Sequence, residues 1–379
     1  MKQEIITLAQ QLIKKKSVTP NDDGAIDLLA TYLKKMGFIC SILDFKQAGY
    51  PDTKNLYAQY GNNGKNLAFA GHTDVVPAGD GWNYNPFDAI IDNNILYGRG
   101  SVDMKGSIVC FMIATKEFLN ENPQFNNKIS FIITGDEEDI AVNGTIKILK
   151  WLNDRNEKIN HCIVGEPTNP NIVGEMIKIG RRGSINFEII SFGKQGHVAY
   201  PENAINPVTR LTKLLNFLIN HRFDKGNKFF DPTHLEVTSI DVKNNTSNII
   251  PSEAKAKLNI RFNNEHHSEE IIKFIKESCA KFLYKYSLTQ RVSGEAFFNR
   301  DTYFTDIVSN AIQNITGKTP ISSTSGGTSD ARFIKNICPV VEFGLVNKTA
   351  HRIDEHIHLD ELIKLTKIYK EILINYFKN

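Results

Sequence analysis

A histidine and an aspartate stand two residues apart at the point where an apolar segment of this chain ends. Residues 67–70 are apolar and are followed by His72 and Asp74, in the stretch NLAFAGHTDVVP. Residues i and i+2 of an extended chain point to the same side, so we expect the Asp74 carboxylate to lie near the His72 imidazole. A metal-bound histidine commonly donates its second N–H to such a carboxylate. A strand-end histidine satisfied by a turn aspartate is the alternative.

Three further segments bring carboxylates to the ends of apolar runs. Four acids, at 136–139, follow one run, Glu166 follows another, and Asp103 precedes a long apolar helix. Consecutive carboxylates at a buried strand end repel one another and lose hydration, so a nearby cation would offset the cost. One of Glu137 and Glu138 can bind a metal while the other remains free as a base. The alternatives are an acidic turn at a helix N-terminus and, for Asp103, a helix N-cap.

Histidines complete this set of metal-binding side chains late in the chain. The stretch VVEFGLVNKTAHRIDEHIHLDEL supplies His351, His356 and His358 after another apolar run. Strand-end side chains meet at one edge of an open α/β sheet, where such folds bind ligands. Carboxylates and imidazoles without a thiol favour Zn²⁺, Co²⁺ or Mn²⁺. The ligands are too many for one tetrahedral ion, so the set predicts a two-metal site that activates water for hydrolysis.

Size and composition limit the remaining classes of function. A chain of 379 residues is long enough to predict two domains, and a net charge of +3 is too small to indicate nucleic acid or a membrane surface. The apolar and charged residues of the N-terminal segment are spaced as in an amphipathic helix and not as in a signal peptide, and no apolar run approaches the ~18 residues of a spanning helix.

The five cysteines are scattered without a CxxC pair. Free thiols are typical of a reducing compartment, so we expect a cytoplasmic protein.

The order of elements predicts an α/β catalytic domain, with a mainly parallel central sheet, that is interrupted by a smaller domain. Strands are predicted at 66–71, 129–134 and 161–164, and helices at 2–16, 24–36, 105–120 and 144–153. Residues 1–178 and 295–379 form the discontinuous catalytic domain in this prediction. Its last part contains a helix near 301–315, a Gly/Ser/Thr-rich loop at 322–329, a strand in PVVEFGL and a final helix at 359–377.

The inserted segment, 179–294, has the order βαββαβ, which suits a small ferredoxin-like sandwich. Its strands are predicted at 184–192, 235–242, 254–262 and 285–292, and its helices at 204–220 and 268–282.

The motifs resemble, in order and spacing, those of a family of two-zinc amidohydrolases that includes aminoacylases, acetylornithine deacetylase and carboxypeptidase-type enzymes. The resemblance extends over nearly the whole chain and rests on GHTDVVP, GRGSVDMKG, TGDEE, VGEPT and HRIDE. It implies a di-zinc exopeptidase-like fold and two Zn²⁺ per subunit, for which Co²⁺ can substitute.

The resemblance also implies a role for each matched residue. His72 and Glu166 would bind the first zinc, and Asp74 would orient His72. Asp103 would bridge both ions, with a cis peptide bond after it. The second zinc would be bound by Glu138 and His351.

Glu137 would be the general base. His351 is preferred to His356 and His358, since the family histidine stands three residues before an acid or amide that is followed by glutamate. His358 is interpreted as the start of the last helix and His356 as exposed. Asp139 departs from the family pattern, in which glycine is common at this position.

Longer segments are similar to the desuccinylase branch of this family, whose substrate is N-succinyl-LL-2,6-diaminopimelate. They are GRRGSINFEIISFGKQGHVAYPENAINP, NIIPSEAKAKLNIRF and STSGGTSDARF. This similarity implies a role in diaminopimelate and lysine biosynthesis; acetylornithine deacetylase, aminoacylase and metallo-exopeptidase activities are the alternatives. A substrate with three carboxylates requires guanidinium and backbone N–H donors. The candidates are Arg181, Arg182, Ser184, Tyr200, Arg261, Gly327, Thr328 and Arg332, although each arginine can equally be a surface salt-bridge residue.

The family also implies a homodimer that forms through the inserted domain. His197 would then reach the partner subunit's active site and stabilise the oxyanion, with Asn248 as a second contributor. The alternative for His197 is a turn residue ahead of Pro201.

Overall fold

The computed structural model describes residues 1–378, and the chain divides into two compact units. Unit 1 contains residues Met1–Ile179, Asn299–Ser323 and the C-terminal part from Ser329 onward. Unit 2 contains Gly180–Phe298 and, in addition, Thr324–Thr328.

The helices and strands of the described residues have the following bounds. The helices are α1 Lys2–Ile13, α2 Ala25–Lys35, α3 Lys105–Glu121, α4 Thr145–Asn153, α5 Pro207–Ile219, α6 Ser268–Phe282, α7 Thr302–Thr316, α8 Ala331–Ile334 and α9 Leu359–Phe377. The strands are β1 Ile39–Phe45, β2 Thr53–Tyr60, β3 Asn66–His72, β4 Ile91–Asp92, β5 Ile95–Tyr97, β6 Lys128–Thr134, β7 His161–Val164, β8 Met176–Lys178, β9 Gly180–Arg181, β10 Gly183–Phe192, β11 Gly196–His197, β12 His234–Asp241, β13 Ile249–Ile250, β14 Glu253–Phe262, β15 Lys285–Gly294, β16 Phe297–Phe298, β17 Ile321–Ser323, β18 Val340–Glu342 and β19 His356–His358.

The central sheet of unit 1 has eight strands in the order β1-β2-β6-β3-β7-β18-β8-β17. Its centre, from β6 through β3 and β7 to β18, is parallel, whereas β1, β2 and the β18–β8 contact are antiparallel. Every residue of β3 is buried, as expected of a central strand covered on both faces. The prediction of an α/β fold with a mainly parallel central sheet is confirmed, and the antiparallel outer strands make the sheet a mixed one.

The parallel strands of unit 1 end at one edge of the sheet. His72 pairs with Thr134, so β3 and β6 terminate side by side, and Val164 and Glu342 end the paired strands β7 and β18. The segments that leave these strands therefore begin close together, at the edge where open α/β sheets bind ligands.

Unit 2 is a four-stranded antiparallel sheet with two helices. The strand order is β12-β14-β10-β15, and the burial of β14 alternates, which leaves one face for the core. That face carries Ile185, Phe187, Leu258 and Ile260, which belong to one buried cluster with apolar residues of α5 and α6.

The predicted elements agree with the observed ones to within a few residues. The largest differences, of three residues, are at α1, which ends at Ile13, at α5, which begins at Pro207, and at β18, which ends at Glu342. The start of α5 has a clear cause: Asn206 Oδ1 accepts the Val208 N–H at 2.9 Å, and Pro207 occupies the first helical position. Among the described residues, no helix combines the length and apolar character needed to cross a membrane.

Candidate active site

Three predicted metal ligands of unit 1 and the predicted general base, Glu137, lie at or just after the ends of its parallel strands. His72 is the last residue of β3, Glu137 and Glu138 lie three and four residues after β6, and Glu166 lies two residues after β7. Asp103 stands directly before Met104, the N-cap of α3, and its own carboxylate caps no helix. The peptide bond between Asp103 and Met104 is cis, as the family resemblance implied.

The Asp103 carboxylate lies between two imidazoles. Its Oδ1 is 3.1 Å from His72 Nε2, and its Oδ2 is 3.3 Å from His351 Nε2. His351 Nε2 is also 2.8 Å from Glu138 Oε1, and His72 Nε2 is 3.7 Å from Glu166 Oε1. Each carboxylate oxygen of Asp103 therefore faces a different group of ligands, which is the arrangement required of a bridging ligand.

The carboxylates at this site favour positively charged groups between them. Although burial favours a neutral His72 ring, Asp103 and Glu166 raise the pKa of His72 well above its usual value. Hydrogen bonds to Asp103 and Glu138 raise the pKa of His351 to about 10. Burial favours the neutral form of Asp103, but its hydrogen bonds to the two histidines hold its pKa below the ordinary range. The neighbouring carboxylates thus favour the protonated, positively charged form of both imidazoles.

The remaining carboxyl groups experience an excess of buried negative charge. Burial, followed by the charge of Asp330, raises the pKa of Glu137 well above its usual value. Burial and the charges of Asp103 and Glu137 do the same to the pKa of Glu166. Such groups carry their full negative charge only if positive charge is placed between them.

The donor atoms fit metal ions. One ligand atom from each of His72, Asp103 and Glu138 lies within 4.8 Å of the others, and the same holds for His72, Glu137 and Glu166. Imidazole nitrogens and carboxylate oxygens without a thiol are suitable ligands for Zn²⁺ and Co²⁺.

The Asp74 carboxylate makes hydrogen bonds that its spacing from His72 did not predict. His72 Nδ1 lies 2.9 Å from the main-chain oxygen of Asp74, whereas the carboxylate Oδ1 is 3.7 Å away. The carboxylate instead accepts the backbone N–H groups of Glu137, at 3.1 Å, and Glu138, at 2.9 Å. The Asp74 carboxylate thus lies near the His72 imidazole, as the spacing predicted, but the shorter contact of His72 Nδ1 is with the main-chain oxygen of Asp74, and the carboxylate accepts its hydrogen bonds from the loop that follows β6.

The late histidines occupy three different environments. His351 points to Asp103 and Glu138, while His358 is the N-cap of α9, as expected of the start of the last helix. His356, expected to be exposed, is half-buried in β19, where its Nδ1 contacts the main-chain oxygen of Asp354 at 2.7 Å.

Three buried acids near these residues had no individual role predicted from the sequence. Asp136 accepts the backbone N–H groups of Ala141 and Asn143, and thereby closes the loop that carries Glu137 and Glu138. Asp330 accepts a hydrogen bond from Thr145 Oγ1 at 2.6 Å. Glu355 is fully buried and is the glutamate of the HRIDE motif, whose histidine, His351, was the only residue of that motif with a predicted role. Its position in that motif was the sequence feature by which Glu355 could have been selected.

Asp139, the departure from the family pattern, is exposed. It is absent from both groups of potential metal ligands found among the described residues. Its side chain therefore leaves the ligand set unchanged.

Unit 2 brings two of the predicted substrate arginines together. Ser184, Arg261 and His234 are neighbours across β10, β14 and β12, and Arg182 Nη1 lies 3.3 Å from His234 Nδ1. Burial and the charge of Arg182 lower the pKa of Arg261. Arg182 Nε and Arg261 Nη1 are buried and have no hydrogen-bond partner. Two adjacent guanidinium groups with unsatisfied buried donors form a site suited to an anion.

The other predicted substrate residues are distributed between the units. Within unit 2, Arg181 is buried, with Nη1 3.5 Å from the main-chain oxygen of Ser325, and Gly327 and Thr328 lie in the short second segment of that unit. In unit 1, Arg332 Nη2 is 3.9 Å from Asp330 Oδ1. The positive charge of Arg332 favours the ionised form of Glu137 and so opposes the rise in the pKa of that carboxyl group.

His197 and Asn248 lie together on a small hairpin of unit 2. His197 pairs with Ile249 across β11 and β13, and Val198 N–H donates to the main-chain oxygen of Asn248 at 3.1 Å. His197 is exposed, and its ring centroid is 5.8 Å from that of Tyr200, which is 61% exposed. The hairpin thus presents His197 and Tyr200 at the surface of this unit.

This chain is similar to the model of a protein family, to a named relative and to solved structures. A model described as peptidase family M20/M25/M40 matches residues 68–375. The chain is 50% identical over 375 residues to a protein from Ehrlichia canis (strain Jake) named succinyl-diaminopimelate desuccinylase, covering 98% of each. It resembles the solved structure of an M20 family metallo-carboxypeptidase from Sulfolobus solfataricus, with a TM-score of 0.81, 20% identity and coverage of 98% of this chain and 99% of that one. A dinuclear metal-binding M20 peptidase from Bacillus subtilis gives a TM-score of 0.72 at 16% identity, covering 100% and 98%.

Proposed function

This chain belongs to peptidase family M20/M25/M40, and we propose that it hydrolyses the succinyl amide of N-succinyl-LL-2,6-diaminopimelate, releasing succinate and LL-2,6-diaminopimelate. The observation that carries this proposal is the 50% identity, over 98% of both chains, to the Ehrlichia canis protein named for that reaction. The reaction belongs to diaminopimelate and lysine biosynthesis. A cytoplasmic location is supported by the five cysteines, which are all free.

Two divalent ions, Zn²⁺ or in its place Co²⁺, would be held by residues of unit 1. His72, Asp103 and Glu166 would hold one ion, and Asp103, Glu138 and His351 the other. This assignment is supported by the two oxygens of Asp103, which face His72 and His351 at 3.1 and 3.3 Å. Asp74 would act on the same site by holding the backbone of Glu137 and Glu138.

Glu137 is the proposed general base and acid. When bound, the two ions polarise the amide carbonyl and make water acidic enough to act as a nucleophile near neutral pH. The Glu137 carboxylate takes a proton from the attacking water, whose oxygen forms the new C–O bond of succinate. As the C–N bond breaks, Glu137 returns that proton to the departing amine.

The substrate carboxylates are assigned to the arginines and to nearby hydrogen-bond donors. Arg182 and Arg261 are supported by their adjacent guanidinium groups and buried donors without partners. The remaining proposed contacts come from Arg181, Ser184, Tyr200, Gly327, Thr328 and Arg332. Charge-assisted hydrogen bonds to guanidinium groups would discriminate a succinyl from an acetyl group, because the succinyl group carries a free carboxylate and the acetyl group carries none.

A steady-state comparison of three substrates tests the proposal. We expect kcat/KM for N-succinyl-LL-2,6-diaminopimelate to exceed that for N-acetylornithine by at least about 10- to 100-fold, since N-acetylornithine lacks the succinyl carboxylate and one of the two diaminopimelate carboxylates. A dipeptide, which tests exopeptidase activity, should be hydrolysed at least as poorly. A preference for N-acetylornithine or the dipeptide would reassign the substrate while retaining the metal chemistry.

A homodimer would complete the site. We propose that His197 and Asn248 reach the partner subunit's active site, where His197 stabilises the oxyanion and Asn248 contributes a second contact. The exposed position of His197 on the β11–β13 hairpin supports this proposal.

Complementation between two inactive variants tests this exchange. Co-expression of Glu137→Gln and His197→Ala chains should restore about a quarter of wild-type activity. Half of a random mixture of dimers is mixed, and each mixed dimer has one site with both groups intact. Co-expression of Glu137→Gln and Glu166→Ala, which both act in their own subunit, is the control and should restore nothing. A monomeric protein, or no recovery in the first mixture, would refute the exchange.

A further inference from the structure

Glu355 is a fully buried carboxylate that does not face the proposed metal ions. Its Oε1 accepts the backbone N–H groups of Val102, at 2.9 Å, and Asp103, at 3.1 Å. Its Oε2 accepts the N–H of Gly100 at 3.0 Å. Three backbone hydrogen bonds thus attach the segment that ends in Asp103 to a residue four positions after His351.

Arg99 extends these attachments to a third segment. Its Nη1 donates to Glu355 Oε2 at 2.8 Å and to the main-chain oxygen of Arg352 at 3.2 Å. Its Nη2 donates to the main-chain oxygens of Pro77, at 3.4 Å, and Ala78, at 3.1 Å. One buried guanidinium therefore contacts the loop that follows Asp74 and the turn that follows His351.

The backbone of the turn that contains His351 needs hydrogen bonds that hold it in its conformation. His351 has φ +61°, a left-handed conformation that a residue with a side chain adopts only when its surroundings hold it there. Asp354, three residues later, has φ +55°. The hydrogen bond from Arg99 to the Arg352 carbonyl acts on the residue directly after His351.

We infer that Arg99 and Glu355 are positioning residues that determine how Asp103 and His351 approach each other, and hence the affinity for the second metal ion. The inference rests on the proposed two-metal site. Asp103 can face both imidazoles only if its backbone lies at a fixed distance from the His351 turn, and the Arg99–Glu355 pair joins these two segments. Groups that orient metal ligands typically change metal affinity by about 10- to 100-fold when they are replaced.

The variant Glu355→Gln tests this role. Its side-chain amide has a single acceptor oxygen, so at least one backbone N–H of the 100–103 segment loses its partner, and Arg99 loses its counter-charge. In calorimetric titration of metal-free protein with Co²⁺, we expect the affinity for the second ion to fall by about 10- to 100-fold. The visible absorption of the cobalt-loaded protein should also change, because the ligands around cobalt shift.

Glu157→Gln is the matched control. Glu157 belongs to the same unit, and its Oε1 accepts a hydrogen bond from Lys128 Nζ at 2.8 Å, in a pair whose side chains are 20% and 17% exposed. The same chemical change at this pair should leave both the cobalt affinity and the cobalt spectrum as in the wild type. A Glu355→Gln protein with a lower Tm but wild-type affinity and spectrum would overturn the inference.

If Glu355→Gln fails to fold, the variant Arg99→Lys tests the same inference. Lysine keeps the positive charge but lacks the forked donors that contact Arg352 and Ala78. We expect roughly a 10-fold loss of affinity for the second ion, and wild-type affinity would overturn the inference. A wild-type protein that binds no metal would instead refute the proposed function, so the two failures are distinguishable.

Discussion

Replacement of Glu137 by glutamine should lower kcat by about 10²- to 10⁴-fold, the range that a positioned general base contributes. Glutamine has nearly the shape of glutamate but cannot take the proton of the attacking water or return it to the amine. The metal content should remain at two ions per chain, because the proposed ligands are His72, Asp103, Glu138, Glu166 and His351. Steady-state kinetics and elemental analysis of the same preparation measure both quantities.

The neighbouring acids provide controls for this prediction. Asp139→Asn alters an exposed carboxylate and should leave kcat within about twofold of wild type, as is usual for surface changes. Glu138→Gln removes a proposed ligand and should reduce the metal content. If Glu137→Gln turned over at the wild-type rate, Glu137 would not be the base.

Removal of the metal ions should reduce activity to the level of the uncatalysed reaction, and addition of Zn²⁺ or Co²⁺ should restore it. The physical reason is that water is a poor nucleophile at neutral pH unless ions lower its pKa, and the two groups of potential metal ligands among the described residues consist of carboxylates and imidazoles, with no cysteine. Dialysis against a chelator, followed by metal titration, measures the loss and recovery. Full activity in excess chelator would exclude this mechanism.

Metal uptake should depend on pH in a direction that the site predicts. The pKa of His351 is raised to about 10, and that of His72 is raised well above its usual value. In the absence of metal both rings therefore favour the protonated form, and the ions must displace these protons. Affinity should rise with pH, and binding should release protons from the histidines and from carboxyl groups such as Glu166, whose pKa is also raised. Calorimetry in buffers of different ionisation enthalpy measures the number released, and a pH-independent affinity would contradict this expectation.

The short-range signals of the sequence were sufficient to locate the elements that carry the ligands. Apolar runs that end in His72, Glu137 or Glu166 predicted buried strands, and β3, β6 and β7 are observed there. The reason is local: a strand buried on both faces must be apolar over its whole length, so its end is visible where polar residues begin. The residues proposed as ligands could thus be selected before the order of the strands was known.

The contacts that arrange those ligands depend on pairs of residues far apart in the chain. The Asp74 carboxylate accepts the N–H groups of Glu137 and Glu138, over 60 positions later, whereas His72, two positions earlier, makes its shortest contact with the main-chain oxygen of Asp74. Glu355 holds the backbone of Asp103 from 252 positions away. A buried carboxylate takes whichever donors the packed strands bring to it, and a backbone N–H has no residue type by which the sequence could reveal it.

The sequence by itself therefore indicated which side chains are candidate metal ligands, which strands and helices carry them, and the chemistry that such ligands support. Tertiary structure alone decided which oxygen of Asp103 faces which histidine and that Arg99 and Glu355 join the segments around them. The physical reason is that element type and ligand chemistry belong to single residues and short periods. The geometry of a site, in contrast, is set by the packing of the strands and by backbone hydrogen bonds between distant segments.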